Sequence, residues 1–363
     1  MTKVLFTEAG RATGINFCRS LQLAPEPIET VGLEKDPYSI FNSVADRTLL
    51  MPDITKDRDG FFRYLRHIID KEQPDLLYPA KTNEVLWEIS KIRDQLGTRV
   101  FLPPHEKIEL FEDKFATAER WGKAGIKVPK GMLIKDEEDL KRAFRELGKK
   151  IWIRKLVGSG GAGSIDTDDF ELARAWINRF NGWGNFMASE LLTKEMATWS
   201  ALWKDGELIV SQIRKRLFWE FSYLSPSGVT GVSGAQMTVK DPELDEISMA
   251  AIKAVDDKPH GIISLDYTYD KNGVPNPTEV QASRFYTSVH FMAKAGLNLP
   301  YILVKLALGE EVPEFKDKFS PLPEGLIWIK YIECEPVLTT MSEVRDKMEG
   351  LGLLQEEIRR GGK

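Results

Sequence analysis

Three side chains with oxygen donors stand close together in the stretch 261–285, GIISLDYTYDKNGVPNPTEVQASRF. An apolar run ends at Asp266, and a second extended run, after the turn signal Asp-Lys-Asn-Gly, carries Glu279 and Gln281. This pattern predicts two antiparallel strands joined by a short turn. Residues two apart on a strand share a face, so Glu279 and Gln281 point the same way, and Asp266 could join them across the turn. Such oxygens suit a hard cation such as Mg²⁺; a polar hairpin face in solvent is the equally open alternative.

A glycine-rich loop, GSGGAGS at 158–164, follows a predicted strand at 151–157. Glycines allow backbone N–H groups to approach an anion closely, and consecutive N–H groups form a concavity that binds phosphate. Arg154 and Lys155 add two cations at the end of the strand. No Gly-Lys-Ser/Thr follows the glycines, so the loop is not a P-loop. A phosphate-binding loop is favoured over a flexible surface turn.

A basic cluster, Arg214-Lys215-Arg216, ends the second strand of a hairpin that turns at 204–206. The stretch 225–234, SPSGVTGVSG, follows soon after and is rich in serine and glycine. A loop of this kind beside a basic cluster could fold over a substrate. A passive connection is the alternative.

Short apolar runs alternate with helical stretches in the N-terminal part of the chain. A strand at 3–7, a loop with Gly10 and Gly14, and a helix from about 14 to 22 form the start of a doubly wound α/β unit. The alternation continues to a predicted strand at 99–103, which implies a parallel sheet. The two glycines do not form the GxGxxG fingerprint of a nicotinamide site, so we expect this loop to serve the fold alone.

Composition and charge exclude several functional classes. The chain has 363 residues, of which 42% are hydrophobic and 29% charged, and its net charge is −5. This net charge shows no excess of basic residues for binding nucleic acid or an anionic membrane. The sequence also shows no apolar run of the roughly 20 residues that cross a bilayer and no secretory signal at its start. Cys18 and Cys334 are expected to be buried thiols in a reducing compartment. These features predict a cytoplasmic protein without nucleic-acid or membrane partners.

In their order along the chain, these motifs resemble the ATP-grasp superfamily, in particular single-module relatives of the carbamoyl-phosphate synthetase large subunit. The motifs are Asp113-Lys114 at the start of a helix, Arg154-Lys155 before the glycine loop, Glu190-Leu191-Leu192, and Asp266 with Glu279-x-Gln281. The resemblance covers roughly residues 1–310. It implies an α/β fold, α+β in part, in which an N-terminal Rossmann-like domain precedes a two-lobed ATP-grasp fold.

The resemblance also implies a division into domains. The predicted boundaries are 1–108 for the N-terminal α/β domain that precedes the ATP-grasp lobes, 109–192 for the small lobe with the glycine loop, 193–315 for the large lobe with the metal site, and 316–363 for a C-terminal extension.

Contacts with ATP are implied for one group of residues, matched position by position. The predicted contacts are Lys114 and Arg154 at the phosphates, Lys155 at a position that is often proline, Gly160, Gly161 and Gly163 in the loop over the phosphates, Glu190 as the hinge acid, the backbone of Leu191 and Leu192 at the adenine edge, and Glu195 at the ribose. The spacing of Glu195 from Glu190 is one residue shorter than the usual pattern.

The implied metal ligands are Asp266, Glu279 and Gln281, which would hold one or two Mg²⁺ ions, with Mn²⁺ as an alternative ion. The family commonly has glutamate at the position of Asp266 and asparagine at that of Gln281. Both replacements keep an oxygen donor, so the site need not be inactive.

Arg284 resembles the arginine that faces transferred phosphate or substrate in relatives. Arg214 and Arg216 could hold a substrate carboxylate with it, because a guanidinium matches a carboxylate bidentately; structural ion pairs are an equally open role for these two.

The implied activity is that of an ATP-dependent carboxylate–amine, or carboxylate–thiol, ligase that works through an acylphosphate on a small molecule or amino acid. Phosphoryl transfer depends on positioning and charge neutralisation, which a metal with Lys and Arg supplies. Two alternatives remain: an enzyme like carbamoyl-phosphate synthetase, disfavoured because only one module is present, and a nucleotide-binding protein without turnover. Expected partners are a small-molecule carboxylate and an amine, and relatives are often dimers, so a homodimer is open.

Overall fold

The computed structural model describes residues 1–81, 84–157, 161, 163–230, 232–331, 337–346 and 349. Gly160, one of the glycines assigned to ATP, lies outside the described residues, and so does Cys334. Cys18 is a buried free thiol, and burial raises its pKa to about 11. Within the described ranges, no helix is both long enough and apolar enough to cross a bilayer.

The N-terminal part forms a parallel sheet with helices around it. Its elements are β1 (Thr2–Thr7), α1 (Ala12–Leu21), β2 (Ile28–Glu34), β3 (Arg47–Leu50), α2 (Arg58–Glu72), β4 (Leu76–Tyr78) and α3 (Glu84–Ile92), with short 3₁₀ turns at Ser39–Asn42 and Arg93–Gln95. The strand order is β3-β2-β1-β4, and all pairs are parallel. The prediction of a strand at 99–103 was wrong, since only Arg99 bridges to Leu76. Pro103 and Pro104 follow and have no N–H to donate, so the run cannot extend the ladder.

The central part forms a second, antiparallel sheet. It comprises α4 (His105–Glu112), α5 (Lys114–Lys123), β5 (Gly131–Ile134), α6 (Glu137–Glu146), β6 (Ile151–Lys155), β7 (Ile165–Thr167), α7 (Phe170–Arg179) and β8 (Phe186–Glu190). The strand order is β5-β8-β6-β7. The apolar faces of α6 and α7 pack on one side of this sheet, where Leu140 and Ile177 are fully buried. In the sequence the glycine loop lies between β6 and β7, and Arg154 is the next-to-last residue of β6.

The third sheet is the largest and is antiparallel throughout. Its elements are β9 (Met196–Lys204), β10 (Glu207–Trp219), a 3₁₀ turn at Ser222–Leu224, β11 (Ser233–Val239), α8 (Pro242–Lys253), β12 (Gly261–Tyr269), β13 (Pro275–Ala282), α9 (Val289–Lys294), α10 (Leu299–Leu308), β14 (Leu326–Ile329) and β15 (Val337–Thr340). The order is β13-β12-β9-β10-β11-β14-β15. Asp205 and Gly206 have φ of 51° and 94°, as a two-residue hairpin turn requires. The last two strands, from the predicted extension, thus widen this sheet.

Aromatic side chains pack between the N-terminal sheet and the large sheet. The rings of Phe17 in α1 and Tyr78 in β4 stack at 4.1 Å between centroids, and Phe285, just after β13, packs against both. The backbone N–H of Phe285 donates to the Tyr78 hydroxyl at 2.9 Å. Each fully buried aromatic side chain contributes roughly 2–3 kcal/mol of transfer free energy. This anchor fixes the position of Arg284, the preceding residue, between the two sheets.

Candidate active site

Strands β12 and β13 bring the three predicted metal ligands together on one face. Asp266 lies directly opposite Glu279 in the ladder, and Gln281 lies opposite Ser264. The Gln281 Nε2 atom donates to Asp266 Oδ2 at 3.2 Å, and Thr198 of the neighbouring strand β9 donates to Asp266 Oδ1 at 2.6 Å. The ladder shifts register just beyond Asp266, a bulge of the kind found beside functional sites. Local hairpin pairing therefore creates the oxygen cluster.

The donor set suits a metal that is bound together with phosphate groups. The described residues contain no group of three or more His, Cys, Asp or Glu side chains that could hold an ion by themselves. Two carboxylates and one amide are fewer ligands than a self-sufficient site needs, but Mg²⁺ is commonly held by one or two carboxylates plus substrate phosphates. A half-turn of the Gln281 amide would turn its oxygen, in place of Nε2, toward a cation. The residues present therefore fit a metal–nucleotide site.

Two cations face this oxygen cluster from other elements. The side chain of Asp113 caps α5 by accepting from the N–H groups of Phe115 and Ala116, which places Lys114 at the first helical position. Lys114 is 4% exposed, and its Nζ atom is 3.8 Å from Glu279 Oε2. Arg154, at the end of β6, donates from Nη2 to the carbonyl of Thr278 at 2.9 Å.

The Nε atom of Arg154 is enclosed and has no hydrogen-bond partner, while burial lowers the pKa of this guanidinium and Glu279 raises it. A desolvated donor beside a carboxylate pair fits an incoming phosphate, because guanidinium groups bind phosphate through several N–H groups at once.

A cavity of about 180 Å³ lies between the central and large sheets. The predicted ATP-binding residues on its wall are Lys114, Arg154, Lys155, Gly161, Glu190, Leu191 and Leu192, and it also contacts Asp266 and Glu279. Lys155 Nζ lies 4.5 Å from the centroid of the Phe180 ring, so its charge already has a cation–π contact. Glu190 Oε1 accepts from the backbone N–H of Lys130 at 3.1 Å. The structure thus brings most of the predicted nucleotide contacts into one place.

Two predicted nucleotide contacts lie elsewhere. Glu195 is exposed and does not line the cavity, although its neighbours Lys194 and Met196 do. Alternate side chains of an extended segment point in opposite directions, so Glu195 points away from the space that its neighbours face. Gly163 has φ of 78°, and a Cβ there would be 3.0 Å from the side chain of Lys155. This crowding explains why a glycine is required at position 163, since the residue does not line the cavity.

A second cavity, of about 460 Å³, adjoins the first and shares Asp266, Glu279 and Gly161 with it. It lies between the large sheet and the loops at the carboxyl ends of the N-terminal strands, the usual position for ligands in open α/β sheets. From the N-terminal side, the charged residues on its wall are Glu8, Arg11, Lys35, Lys81 and Glu84. From the large sheet, Arg214, Arg216 and Arg284 reach it. All three arginines predicted at the substrate therefore meet in one cavity.

Arg214 and Arg216 have polar and aromatic neighbours. Arg214 is 4% exposed, donates to Gln236 at 2.7 Å, and lies 4.1 Å from the centroid of the Tyr286 ring. Arg216 donates to Ser233 at 2.7 Å and stacks on Trp219. Burial and the charge of Arg214 lower the pKa of Arg216 to about 9.

In the described parts of the chain, neither Arg214 nor Arg216 has a carboxylate within ion-pairing distance. A desolvated guanidinium without a counter-ion is costly, so this arrangement favours an anionic ligand over structural ion pairs.

Sequence reasoning missed a buried carboxyl group behind the site. Glu112 is 7% exposed and accepts a hydrogen bond from the backbone of Ala282, at the end of β13. Burial raises the pKa of Glu112 to about 7, against the opposing charges of Arg284 and Lys114. The residue directly precedes the Asp113-Lys114 motif, and only the packing of α4 on β13 shows that it supports two cations of the site.

No family model matches the chain. The carbamoyl phosphate synthase large chain of Hyperthermus butylicus is 24% identical over 319 residues, which are 82% of this chain and 28% of that protein. The chain spans less than a third of the length of the curated relatives that it matches.

Solved structures share the overall fold of this chain. The biotin carboxylase domain of Hydrogenobacter thermophilus 2-oxoglutarate carboxylase, in complex with MgADP, ADP and bicarbonate, has a TM-score of 0.69 at 17% identity, covering 90% of this chain and 73% of that one. L-amino acid ligase from Bacillus licheniformis has a TM-score of 0.65 at 13% identity, covering 90% and 79%. These likenesses confirm the predicted ATP-grasp fold, and carbamoyl phosphate synthase large chains are among the sequence relatives of this chain.

Proposed function

We propose that the chain is an ATP-dependent ligase that activates a carboxylate as an acylphosphate and passes the acyl group to an amine, forming a C–N bond. The observation that carries the proposal is the junction of the two cavities at Asp266 and Glu279, which line both. A substrate in the larger cavity would lie beside the terminal phosphate of a nucleotide in the smaller one. Proximity of this kind supplies much of the rate enhancement in phosphoryl transfer.

The smaller cavity would hold ATP. The backbone of Leu191 and Leu192 would meet the adenine edge, with Glu190 beside it. Lys114, which is 3.8 Å from Glu279, and Arg154, which donates to the Thr278 carbonyl, would contact the phosphates. Their two charges would offset those of the phosphates, which is the main demand of the reaction. The Hydrogenobacter structure contains MgADP, which supports the binding of a nucleotide with Mg²⁺ by a chain of this fold.

Asp266, Glu279 and Gln281 would hold the ion that accompanies the nucleotide, either one or two Mg²⁺, with Mn²⁺ as an alternative. When bound, the metal neutralises the phosphate charge and orients the terminal phosphate for in-line attack. The short contact from Thr198 to Asp266 keeps that carboxylate in place beforehand. Lys114, 3.8 Å from Glu279, balances the charge of the second acid.

The first chemical step joins the substrate carboxylate to the terminal phosphate. A carboxylate oxygen attacks the γ-phosphorus, the bond from that phosphorus to the β–γ bridging oxygen breaks, and ADP departs. Arg284, with Arg214 or Arg216, would hold the carboxylate in line.

In the second step an amine attacks the acyl carbon, phosphate leaves with the electrons of the C–O bond, and a proton leaves the nitrogen. A thiol in the same place would give the thioester.

Acceptor-dependent phosphate release tests the proposal. Purified protein with ATP and Mg²⁺ is screened for phosphate release against pairs of amino acids, since one can supply the carboxylate and the other the amine. We expect release with at least one pair and its loss in Glu279→Ala, while Glu246→Ala, at an exposed position of α8, keeps it. Binding of ATP–Mg²⁺ without release for any pair would instead identify a nucleotide-binding protein without turnover. Failure to bind ATP would overturn the nucleotide site itself.

A homodimer is part of the same proposal. The Hydrogenobacter biotin carboxylase domain is a dimer in its structure, and that domain has the fold of this chain. Light scattering coupled to size exclusion measures the mass directly, and a mass of one chain at micromolar concentration would contradict this point.

A further inference from the structure

A third cation lies beside the two arginines of the larger cavity. Strand β14 pairs with β11, and Trp328 lies opposite Gln236, the side chain that accepts from Arg214. Just beyond the strand, the backbone N–H of Lys330 donates to the carbonyl of Gly234 at 2.9 Å, so the pairing continues through that residue. Residues two apart on an extended segment share a face, so Lys330 follows Trp328 on the face that carries Gln236.

The electrostatics of Lys330 agree with this placement. Burial, followed by the charges of Arg214 and Arg216, lowers its pKa to about 8. The Lys330 ammonium group therefore remains mostly protonated at neutral pH. It lies close enough to both guanidinium groups for their charges to lower its pKa. Three cations, one of them from the C-terminal part of the chain, therefore lie on the same side of the large sheet, where Arg214 and Arg216 line the larger cavity.

No carboxylate balances this cluster within the described ranges. Ion pairs are present at many other lysines and arginines, but none involves Arg214, Arg216 or Lys330 there. The acid whose charge acts most strongly on both arginines is Asp266. If Asp266 holds Mg²⁺, as the proposed function requires, its negative charge is neutralised by the metal. No carboxylate among the described residues then balances Arg214, Arg216 and Lys330. The Nε atom of Arg214 is buried and has no hydrogen-bond partner, so protein groups do not satisfy this guanidinium completely.

The reacting carboxylate alone does not satisfy so many cations. Arg284 lies on the same cavity wall, beside the metal ligands of β13, and with one of the two arginines it would hold a single carboxylate. The remaining arginine and Lys330 would then have no carboxylate among the described residues to balance their charges. Similar groups of desolvated cations in proteins are stabilised by bound anions such as carboxylate or phosphate.

The geometry points to Arg214, Arg216 and Lys330 as the binding site for a second anionic group of the substrate, so that the ligase acts on a molecule with two acidic groups, only one of which is phosphorylated. The second group is a carboxylate or a phosphate monoester, which share the same contacts. This inference rests on the proposed function, and it assigns a specificity role to Lys330.

Calorimetric titration of three acid–neutral pairs tests the inference with the nucleotide site filled by the non-hydrolysable analogue AMP-PNP and Mg²⁺. The pairs are L-glutamate with L-glutamine, succinate with succinamate, and O-phospho-L-serine with L-serine. We expect at least one acid to bind about 10-fold or more tightly than its partner, a difference of about 1.4 kcal/mol. The identity of that acid distinguishes carboxylate from phosphate.

Variants assign the effect to the cluster. Lys330→Met is expected to abolish the preference for the acid, Lys330→Arg to retain it, and Lys316→Met, at an exposed position nearby in the chain, to leave it unchanged. Equal binding of acid and neutral partner, a preference that survives Lys330→Met, or no binding of any acid at about 10 mM would overturn the inference. Titration of the nucleotide-free protein with the same anions, and of AMP-PNP alone, separates failure of this site from failure of the nucleotide site.

Discussion

Glu279 lies directly opposite Asp266 in the β12–β13 ladder, and Gln281, two residues further along β13, donates to the same Asp266 carboxylate at 3.2 Å. Relative to the residues usual in the family, the Asp266 side chain is one methylene shorter and the Gln281 side chain one methylene longer. One side chain is thus shorter and the other longer than usual, and the two side chains are joined by this hydrogen bond. Together they would displace a bound cation toward β12 without changing the number of oxygen donors.

The two departures are expected to compensate each other. Asp266→Glu alone makes this side chain long enough to collide with Gln281, and Gln281→Asn alone leaves a gap between the two. Each single variant should therefore lower Mg²⁺-dependent phosphate release about 10-fold, whereas the double variant should remain within about threefold of the original protein. Phosphate release at graded Mg²⁺ concentrations measures this, with Glu246→Gln as the control. Losses that simply add in the double variant would show that the two side chains do not act on one ion.

Arg154 is expected to matter for nucleotide binding much more than for stability. Its Nη2 atom makes one hydrogen bond to the Thr278 carbonyl, while its Nε atom has no partner. Arg154→Met should weaken ATP binding about 10- to 100-fold, because charge-assisted hydrogen bonds contribute roughly 1.5–3 kcal/mol.

The melting temperature of the nucleotide-free Arg154→Met protein should change little, since relief from desolvation offsets the lost bond. Arg142→Met, on the exposed side of α6, serves as the control in both measurements. A large fall in melting temperature with unchanged ATP affinity would assign Arg154 a structural role.

Gly161 is expected to be required because two loops touch there. Its φ is 72°, and a Cβ at this position would be 2.6 Å from the backbone oxygen of Val229, at the wall shared by the two cavities. Gly161→Ala should separate the loops, admit water to the acylphosphate, and lower productive turnover about 10-fold.

Gly184 offers a matched control for Gly161, because its φ is 81° and a Cβ there would have no atom within 4 Å. Gly184→Ala carries the same backbone strain, on the order of 1 kcal/mol, without the collision. The ratio of product formed to ATP hydrolysed measures the effect. Equal ratios in the two variants would mean that the contact with Val229 does not protect the intermediate.

His290 is expected to make stability depend on pH between about 6.5 and 4. The ring is 6% exposed and packs against Trp328 at the base of the large sheet, and burial lowers its pKa from 6.5 to about 4. In this window the unfolded state binds a proton that the folded state excludes, so the free energy of unfolding falls as pH falls. The full effect is about 3 kcal/mol.

Denaturant unfolding at several pH values measures this dependence. His290→Phe removes the titrating group and should flatten the slope between pH 6.5 and 4, while His67→Phe, at an exposed position, should not. An unchanged slope in His290→Phe would assign the acid sensitivity to other groups.

The sequence was sufficient for features that depend on neighbours along the chain. Strand periodicity and the Asp-Lys-Asn-Gly turn predicted the hairpin that carries Asp266, Glu279 and Gln281, because both are local signals. The bulge after Asp266, which sets Asp266 directly opposite Glu279, was not predicted. The sequence also predicted Lys114 near the start of a helix and Arg154 at the end of a strand. The order of these motifs was enough to predict the ATP-grasp fold, which the solved structures confirm. The roles of the individual site residues remain predictions.

Tertiary structure decided what distant segments do to one another. It turned Glu195 away from the cavity, buried Glu112 behind Lys114 and Arg284, and left Arg214 and Arg216 without a described carboxylate partner. It also brought β14 into the large sheet, so that Lys330 lies beside both arginines although more than a hundred residues separate them in the chain. Spacing along the sequence determines which ligands of this site lie close together on one hairpin. Burial and charge depend on which surfaces meet in space, so the packing of the sheets determines the electrostatic environment of those ligands.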